Sequence, residues 1–131
     1  MNKDFFFYII LITGFVSYTN FAYLVPILPD FLEKKAVSIS IIGVILSFYQ
    51  TSNILTSLFL AKYLMNFSKP KVMIIGYILL ISNNSFIGFL DQFSSVELII
   101  FLASFLRFIQ GIALAMVVSP IYALYPCDVP R

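Results

Sequence analysis

One basic side chain lies in a stretch that otherwise carries no charge. Arg107 is the only charged residue between Glu97 and Asp128, and it lies about 15 Å along a helix from Glu97 at about 1.5 Å per residue. A guanidinium at mid-membrane costs about 2.5–3.5 kcal/mol on insertion scales, so such groups usually face a bundle interior or a cavity. We expect Arg107 to bind an anionic group or to adjust a proton-carrying partner. The structural alternative is a bond to a neighbouring carbonyl.

Polar and small residues accompany Arg107 on the same helix face. Ser104 and Gln110 lie one turn to either side, and Gly111 follows at the next position of that face. An i, i+4 ridge of small residues also runs through Arg107 and includes Gly111 and Ala115. Because small residues let a second helix approach closely, Gly111 and Ala115 are predicted packing positions.

Two other segments carry polar stripes. Thr13, Ser17 and Asn20 share one face of the first apolar segment, where they either line a cavity or hold helices together. The second segment has a polar face that comprises Gln50, Asn53 and Ser57. We interpret it as a helix-packing face, and Gly43 lies one to two turns before it. A polar run at 82–85 is also interpreted as structural, and the Phe and Tyr side chains as mostly lipid-facing or interfacial.

The elements that position these residues follow from composition. The 131 residues are 61% hydrophobic and 11% charged, against about 25% charged residues in soluble domains. Four long stretches between clusters of charges each suffice for a membrane span of about 20 residues. Backbone groups in lipid must be satisfied within their segment, which favours helices. The sequence therefore predicts an all-α membrane protein, a single transmembrane domain over 1–131 with helices near 5–29, 39–61, 72–90 and 97–125.

Orientation follows from the basic residues of the loops. One side carries two of them, Lys34 and Lys35, and the other carries five: Lys3, Lys62, Lys69, Lys71 and Arg131. The positive-inside rule then places both termini in the cytoplasm. We expect an integral, multi-pass protein in the lipid bilayer, in a membrane that the sequence does not specify.

Several function classes are excluded by residue content. The chain has no histidine and one cysteine, so neither a Cys/His metal site nor a His-based catalytic triad can form. No nucleotide-binding glycine motif is present, and the net charge of +2 does not suit a nucleic-acid binder. We expect no enzyme activity, no metal and no cofactor.

Three segments resemble the major facilitator superfamily, most closely its drug/proton antiporter and vesicular-amine-transporter-like branches. Val25–Leu32, which reads VPILPDFL, resembles the end of the first helix of that family. Ile42–Ser47 resembles the start of the second helix, and Leu106–Gly111 resembles the R-x-x-x-G signature of the fourth helix. The resemblance covers nearly the whole chain.

The loop between the second and third helices departs from the family signature. Its basic end is kept as Lys69 and Lys71, but Met65 stands in the place of the acid that takes part in gating, and Asn66 stands in the adjacent basic place. Ser17 also stands where vesicular amine transporters carry an acid. The resemblance therefore supports neither gating through that acid nor an acid-based amine site.

The resemblance implies twelve helices, of which this chain supplies the first third. A small-molecule transporter, with or without proton coupling, is the leading interpretation, and it needs further helices from the same gene or a partner chain, because alternating access requires a second body. One alternative is a non-transporting assembly partner or degenerate fragment. The other is a dimeric four-helix multidrug transporter, which the absence of an acid in the first helix disfavours.

Overall fold

Four long helices and one short 3-10 helix make up the described chain. The computed structural model describes residues 3–63 and 67–124. The helices are α1 (Lys3–Lys34), α2 (Ile39–Tyr63), α3 (Lys69–Gly88) and α4 (Val96–Leu124), with the 3-10 helix at Phe89–Gln92. Each of the four is long and apolar enough to cross a membrane. The all-α, four-span architecture predicted from the sequence is confirmed.

Helix α1 is longer than its sequence predicts. It continues through Pro26 and Pro29 to Lys34, rather than ending near residue 29. It ends where Ala36 takes a left-handed backbone conformation, with φ of 60°. The N–H of Val37 bonds the carbonyl of Leu32, and that of Ala36 bonds Glu33, which is the Schellman pattern of helix termination. The two prolines therefore lie inside α1, and its end is set by the turn that follows.

Helix α4 is the central element of the bundle. In the most apolar 18-residue stretch of α4, 50% of the residues are buried inside the bundle. The corresponding share in the other three helices is 17–22%. It packs extensively against α2 and α3, whereas its contact with α1 is slight. An apolar core joins α1, α2, the 3-10 helix and the start of α4 through residues that include Leu32, Ile45, Leu90 and Ile99. Large apolar side chains cover much of the outer surface, as expected for helices in lipid.

Two glycines allow close helix crossings on α4. A Cβ built at Gly111 would collide with the Ser52 hydroxyl and the Tyr49 carbonyl of α2. A Cβ built at Gly76 of α3 would lie 2.9 Å from the Val117 side chain of α4. Glycine is therefore required sterically at the α2–α4 crossing, and a larger residue at the α3–α4 crossing would displace its neighbour.

We predict that Gly111→Ala lowers the free energy of unfolding by about 1–3 kcal/mol, the usual cost of overpacking, since the added methyl group meets the backbone of Tyr49. The matched control is Gly43→Ala, because a Cβ at this exposed position of α2 meets nothing within 4 Å. The control should leave stability unchanged or raise it by up to about 1 kcal/mol, through helix propensity. Reversible unfolding in mixed micelles measures both. Equal stability of the two variants would contradict the crossing.

Candidate functional site

The guanidinium of Arg107 is held by neutral groups. Arg107 is 0% exposed. It donates from Nη1 to Gln110 Oε1 at 3.0 Å and from Nη2 to the carbonyl oxygen of Leu24 at 3.1 Å, and its buried Nε has no partner among the residues that the structure describes. Over residues 3–63 and 67–124 the salt bridges join Lys34 to Asp30 and Lys35 to Asp91. No described acid therefore neutralises Arg107.

The acceptor on α1 lies in the proline-containing part of that helix. Pro26 and Pro29 have no N–H to donate, so the carbonyls of Ala22 and Val25 lose their usual donors within the helix. The carbonyl of Leu24 lies between these two and accepts the bond from Arg107. The prolines thus leave two carbonyls of α1, one on each side along the chain of the Leu24 region, without donors in the helix, and the Arg107–Leu24 hydrogen bond links α1 to α4 at this level.

Tyr49 is the residue of this site that sequence analysis missed. Its side chain is 4% exposed, lies close enough to Arg107 for electrostatic interaction, and stacks on Phe21 of α1 with ring centroids 4.6 Å apart. Tyr49 is therefore an exception to the expectation that the Phe and Tyr side chains are mostly lipid-facing or interfacial. The sequence did hold a signal for its burial. Tyr49 and Ser52 are three positions apart and therefore lie on one face of the helix.

Gln110 contacts Arg107, but Ser104 does not join them. Gln110 is 1% exposed and accepts the guanidinium bond. The hydroxyl of Ser104 donates to the Ile100 carbonyl of its own helix at 2.8 Å, and Ser104 lines a separate cleft of about 450 Å³ with Phe101 and Phe105. Of the predicted face, Arg107 and Gln110 are therefore buried and bonded to each other, whereas Ser104 bonds only within its own helix.

The three polar residues of the α1 stripe, Thr13, Ser17 and Asn20, lie in two different environments. Tyr77 of α3 donates its hydroxyl to the Thr13 carbonyl at 3.0 Å, the Ser17 hydroxyl donates to the same carbonyl at 2.8 Å, and the two hydroxyls lie 3.1 Å apart. These three residues form a clasp between α1 and α3. Asn20 instead lines a cavity of about 640 Å³ between these helices, with Asn84 on the opposite wall.

Asn83 of α3 is a buried amide without a described partner. It is 2% exposed, and neither Oδ1 nor Nδ2 has a hydrogen bond within the described residues. It shares a buried face of α3 with Gly76 and Leu80. Leaving a buried polar group unpaired costs about 1–3 kcal/mol. Asn83 therefore does not join helices through a hydrogen bond to any residue that the structure describes.

The predicted packing and gating residues have different surroundings. Ala115 is fully buried on α4, beside the ridge position Gly111. Gly43 is exposed, so no described helix packs closely against it. Lys69 donates to the Ala123 carbonyl of α4 at 2.9 Å, a favourable place for a cation near a helix C-terminus. Lys71 is exposed.

Some predicted features lie outside the described residues. Met65 and Asn66, the two departures from the loop signature, are among them, as is Arg131, which contributes to the predicted orientation. The predicted fourth helix reached residue 125, whereas the described helix ends at Leu124.

We predict that Tyr77→Phe lowers the free energy of unfolding by about 0.6 kcal/mol, the average for hydrogen bonds between transmembrane helices, and by no more than about 1.7 kcal/mol, the largest such value, because the clasp loses its donor from α3. Tyr23→Phe is the matched control, since this tyrosine is 66% exposed on α1 and should change stability little. Unfolding in mixed micelles measures both variants. A loss with Tyr23→Phe as large as with Tyr77→Phe would argue against the clasp.

Comparison with known proteins bears on the chain as a whole. A family profile described as Major Facilitator Superfamily matches residues 10–125, which includes all of the site around Arg107. No curated protein and no solved structure gives a significant match. The family consists of transporters, and the four apolar spans make this an integral, multi-pass membrane protein. The chain belongs to the major facilitator superfamily.

Proposed function

We propose that α1 and α4 form one wall of the substrate pathway of a small-molecule transporter that works by alternating access. The single observation that carries this proposal is the buried Arg107, which is bonded to Gln110 and to the Leu24 carbonyl and has no acid partner among the described residues. A structural cation in lipid gains most from a carboxylate partner, whereas a cation that must exchange partners is better served by neutral ones.

The energetics favour such an exchange. An anionic acceptor adds a Coulomb attraction to the guanidinium that the neutral Leu24 carbonyl lacks, so an anion reaching Arg107 can replace that carbonyl. Release of that carbonyl removes the hydrogen bond between α1 and α4 near Pro26 and Pro29, where α1 already lacks two backbone bonds. Binding at Arg107 and the position of α1 are then coupled. A proton-carrying acid of a partner helix could make the same exchange.

Alternating access also needs a second body against which these helices rock. We propose that further helices, from the same gene or from a partner chain, supply it. We place the chain nearest the drug/proton antiporter and vesicular-amine-transporter-like branches, because its VPILP and R-x-x-x-G segments resemble theirs. Ser17 occupies the place of the amine-binding acid and is engaged with Thr13 and Tyr77, so substrate recognition is proposed to depend on Arg107 instead.

We expect native host cells with the intact gene, which supply the further helices, to differ from cells with the gene deleted in the accumulation of at least one member of a labelled panel of small molecules. Arg107→Gln should weaken that effect about 10- to 100-fold, which corresponds to the loss of one hydrogen bond to a charged group of about 1.5–3 kcal/mol. Arg107→Lys should keep part of it. Lys62→Gln is the control, because it removes a cation from the exposed end of α2 and should have no effect.

Surface expression and helical content are measured for every variant, so that a folding defect is not read as a functional one. Accumulation that is identical with and without the chain, or equally affected by Lys62→Gln and Arg107→Gln, would contradict the proposed function. Uptake into proteoliposomes that contain only the purified chain tests the need for further helices. We expect none, and saturable uptake there would favour the dimeric four-helix alternative.

A further inference from the structure

The cavity between α1 and α3 lies between two places where the bundle holds these segments together. Toward the start of α1, the clasp joins Thr13 and Ser17 to Tyr77. Toward its end, Leu28 and Leu90 are each 2% exposed and belong to the apolar core. Ser17 and Leu28 are about 16 Å apart along the helix at about 1.5 Å per residue. The cavity of about 640 Å³ follows this part of α1, so packing at both ends fixes the separation of its walls.

Two amide side chains line the cavity from opposite helices. Asn20 belongs to α1 and Asn84 to α3, and Oδ1 of Asn84 is buried without a hydrogen bond to any described residue. The Thr19 hydroxyl, which also lines the cavity, already donates to the Phe15 carbonyl of its own helix at 2.8 Å. Because a buried polar atom without a partner is costly, the cavity favours an occupant that donates a hydrogen bond to Asn84.

The charges near the cavity favour an uncharged occupant. Among the described residues that line it, Asp91 is the one that carries a charge, and Lys35 already pairs with this carboxylate at 3.0 Å. Arg107 is not part of the lining. Three further described acids are also not part of it: Asp30, Glu33 and Glu97. An ionic ligand would therefore leave water without gaining a free counter-charge in the lining, which is costly in an apolar site.

The volume and the remaining walls suit a small apolar body. Ligand sites are typically cavities of about 300–1,000 Å³ with mostly apolar walls and a few polar groups. Here Leu24, Ile27 and Ile87 supply aliphatic surface, and Phe31 supplies an aromatic ring. An acyl chain of the bilayer could fill the same space, but it would leave the amides unpaired. A molecule that joins an apolar body to a group with both a donor and an acceptor matches both parts of the lining.

We propose that the cavity between α1 and α3 binds an uncharged molecule that carries a carboxamide or lactam group on an apolar body. The N–H group of this molecule donates to Asn84 Oδ1, and its carbonyl oxygen accepts a hydrogen bond from the Asn20 amide. Its apolar body packs against the aliphatic wall. The site is separate from the proposed pathway between α1 and α4, and binding to it does not depend on transport.

Equilibrium binding to the full chain in nanodiscs of zwitterionic lipid tests this site, with empty nanodiscs as the baseline for partition into lipid. Three probes share one ring system: naphthalene-2-carboxamide, the ketone 2-acetylnaphthalene, which has no N–H group, and the anion naphthalene-2-carboxylate. We expect saturable binding of the carboxamide. The ketone should bind about 3- to 10-fold more weakly, as expected for the loss of one neutral hydrogen bond, and the carboxylate should also bind more weakly than the carboxamide.

A substitution at Asn84 tests the hydrogen bond. Asn84→Leu should remove the difference in affinity between carboxamide and ketone, because the acceptor of the N–H group is lost. Gln50→Leu is the matched control, since it replaces an exposed amide of α2 that does not line the cavity. The control should keep the difference between the two probes.

A pair of glycine variants tests the location of the site without removing a polar group. Gly88 lines the cavity, and a Cβ built there meets nothing within 4 Å, as is also true of Gly43 on α2. Gly88→Phe should reduce carboxamide affinity about tenfold or more, the usual effect of overpacking, whereas Gly43→Phe should leave it unchanged. Helical content and thermal stability verify that each variant is folded.

Several results would overturn the site. These are the absence of saturable carboxamide binding, equal affinities for carboxamide and ketone in the unaltered chain, and equal carboxamide binding by the Gly88→Phe and Gly43→Phe variants. Carboxylate binding tighter than carboxamide binding would also overturn it, and would indicate that the charge of Arg107 dominates the cavity.

Discussion

The structure depends on how a guanidinium is accommodated in a helix surrounded by lipid. Arg107 is fully buried and donates to neutral acceptors, Gln110 on its own helix and the Leu24 carbonyl on α1. Because an unsatisfied cation in a low-dielectric interior is costly, these bonds fix the face that α4 turns toward α1. The same partners are weaker than a carboxylate, so the cation remains available to a stronger one.

The four helices are not packed equally tightly around this site. Helix α4 is clamped to α2 and α3 by close crossings at Gly111 and Gly76, whereas α1 is joined to its neighbours by the Tyr77 clasp, the bond to Arg107 and the apolar core near Leu32. A tightly packed unit of α2, α3 and α4 thus faces a more loosely attached α1 that contains two prolines. In a transporter of this family, α1 is the described helix that can shift with the least loss of packing.

The sequence predicted the architecture well because charge and hydropathy determine where a chain crosses a membrane. The burial of Arg107 followed from the same logic, as did the close approach at Gly111. A bond to a neighbouring carbonyl was the structural alternative for Arg107 and is present, but the sequence could not indicate which carbonyl accepts it, because a backbone carbonyl carries no residue type. Tyr49 and Tyr77 were missed since an aromatic hydroxyl in a membrane segment suits lipid and interior alike. The polar residues of α2 indicated a face near Gln50, but the crossing at Gly111 turns Tyr49 and Ser52 toward α4.

The contact between Arg107 and Leu24 is the central claim, and solid-state NMR in bilayers measures it directly. The chain has two arginines, Arg107 and Arg131, and one Leu-Val pair, Leu24-Val25, so selective labelling isolates both partners once Arg131→Lys assigns the signals. We predict dipolar coupling between the Arg107 guanidinium nitrogens and the Leu24 carbonyl carbon, consistent with the 3.1 Å hydrogen bond. A guanidinium signal that couples instead to lipid acyl chains, with none to Leu24, would contradict the account.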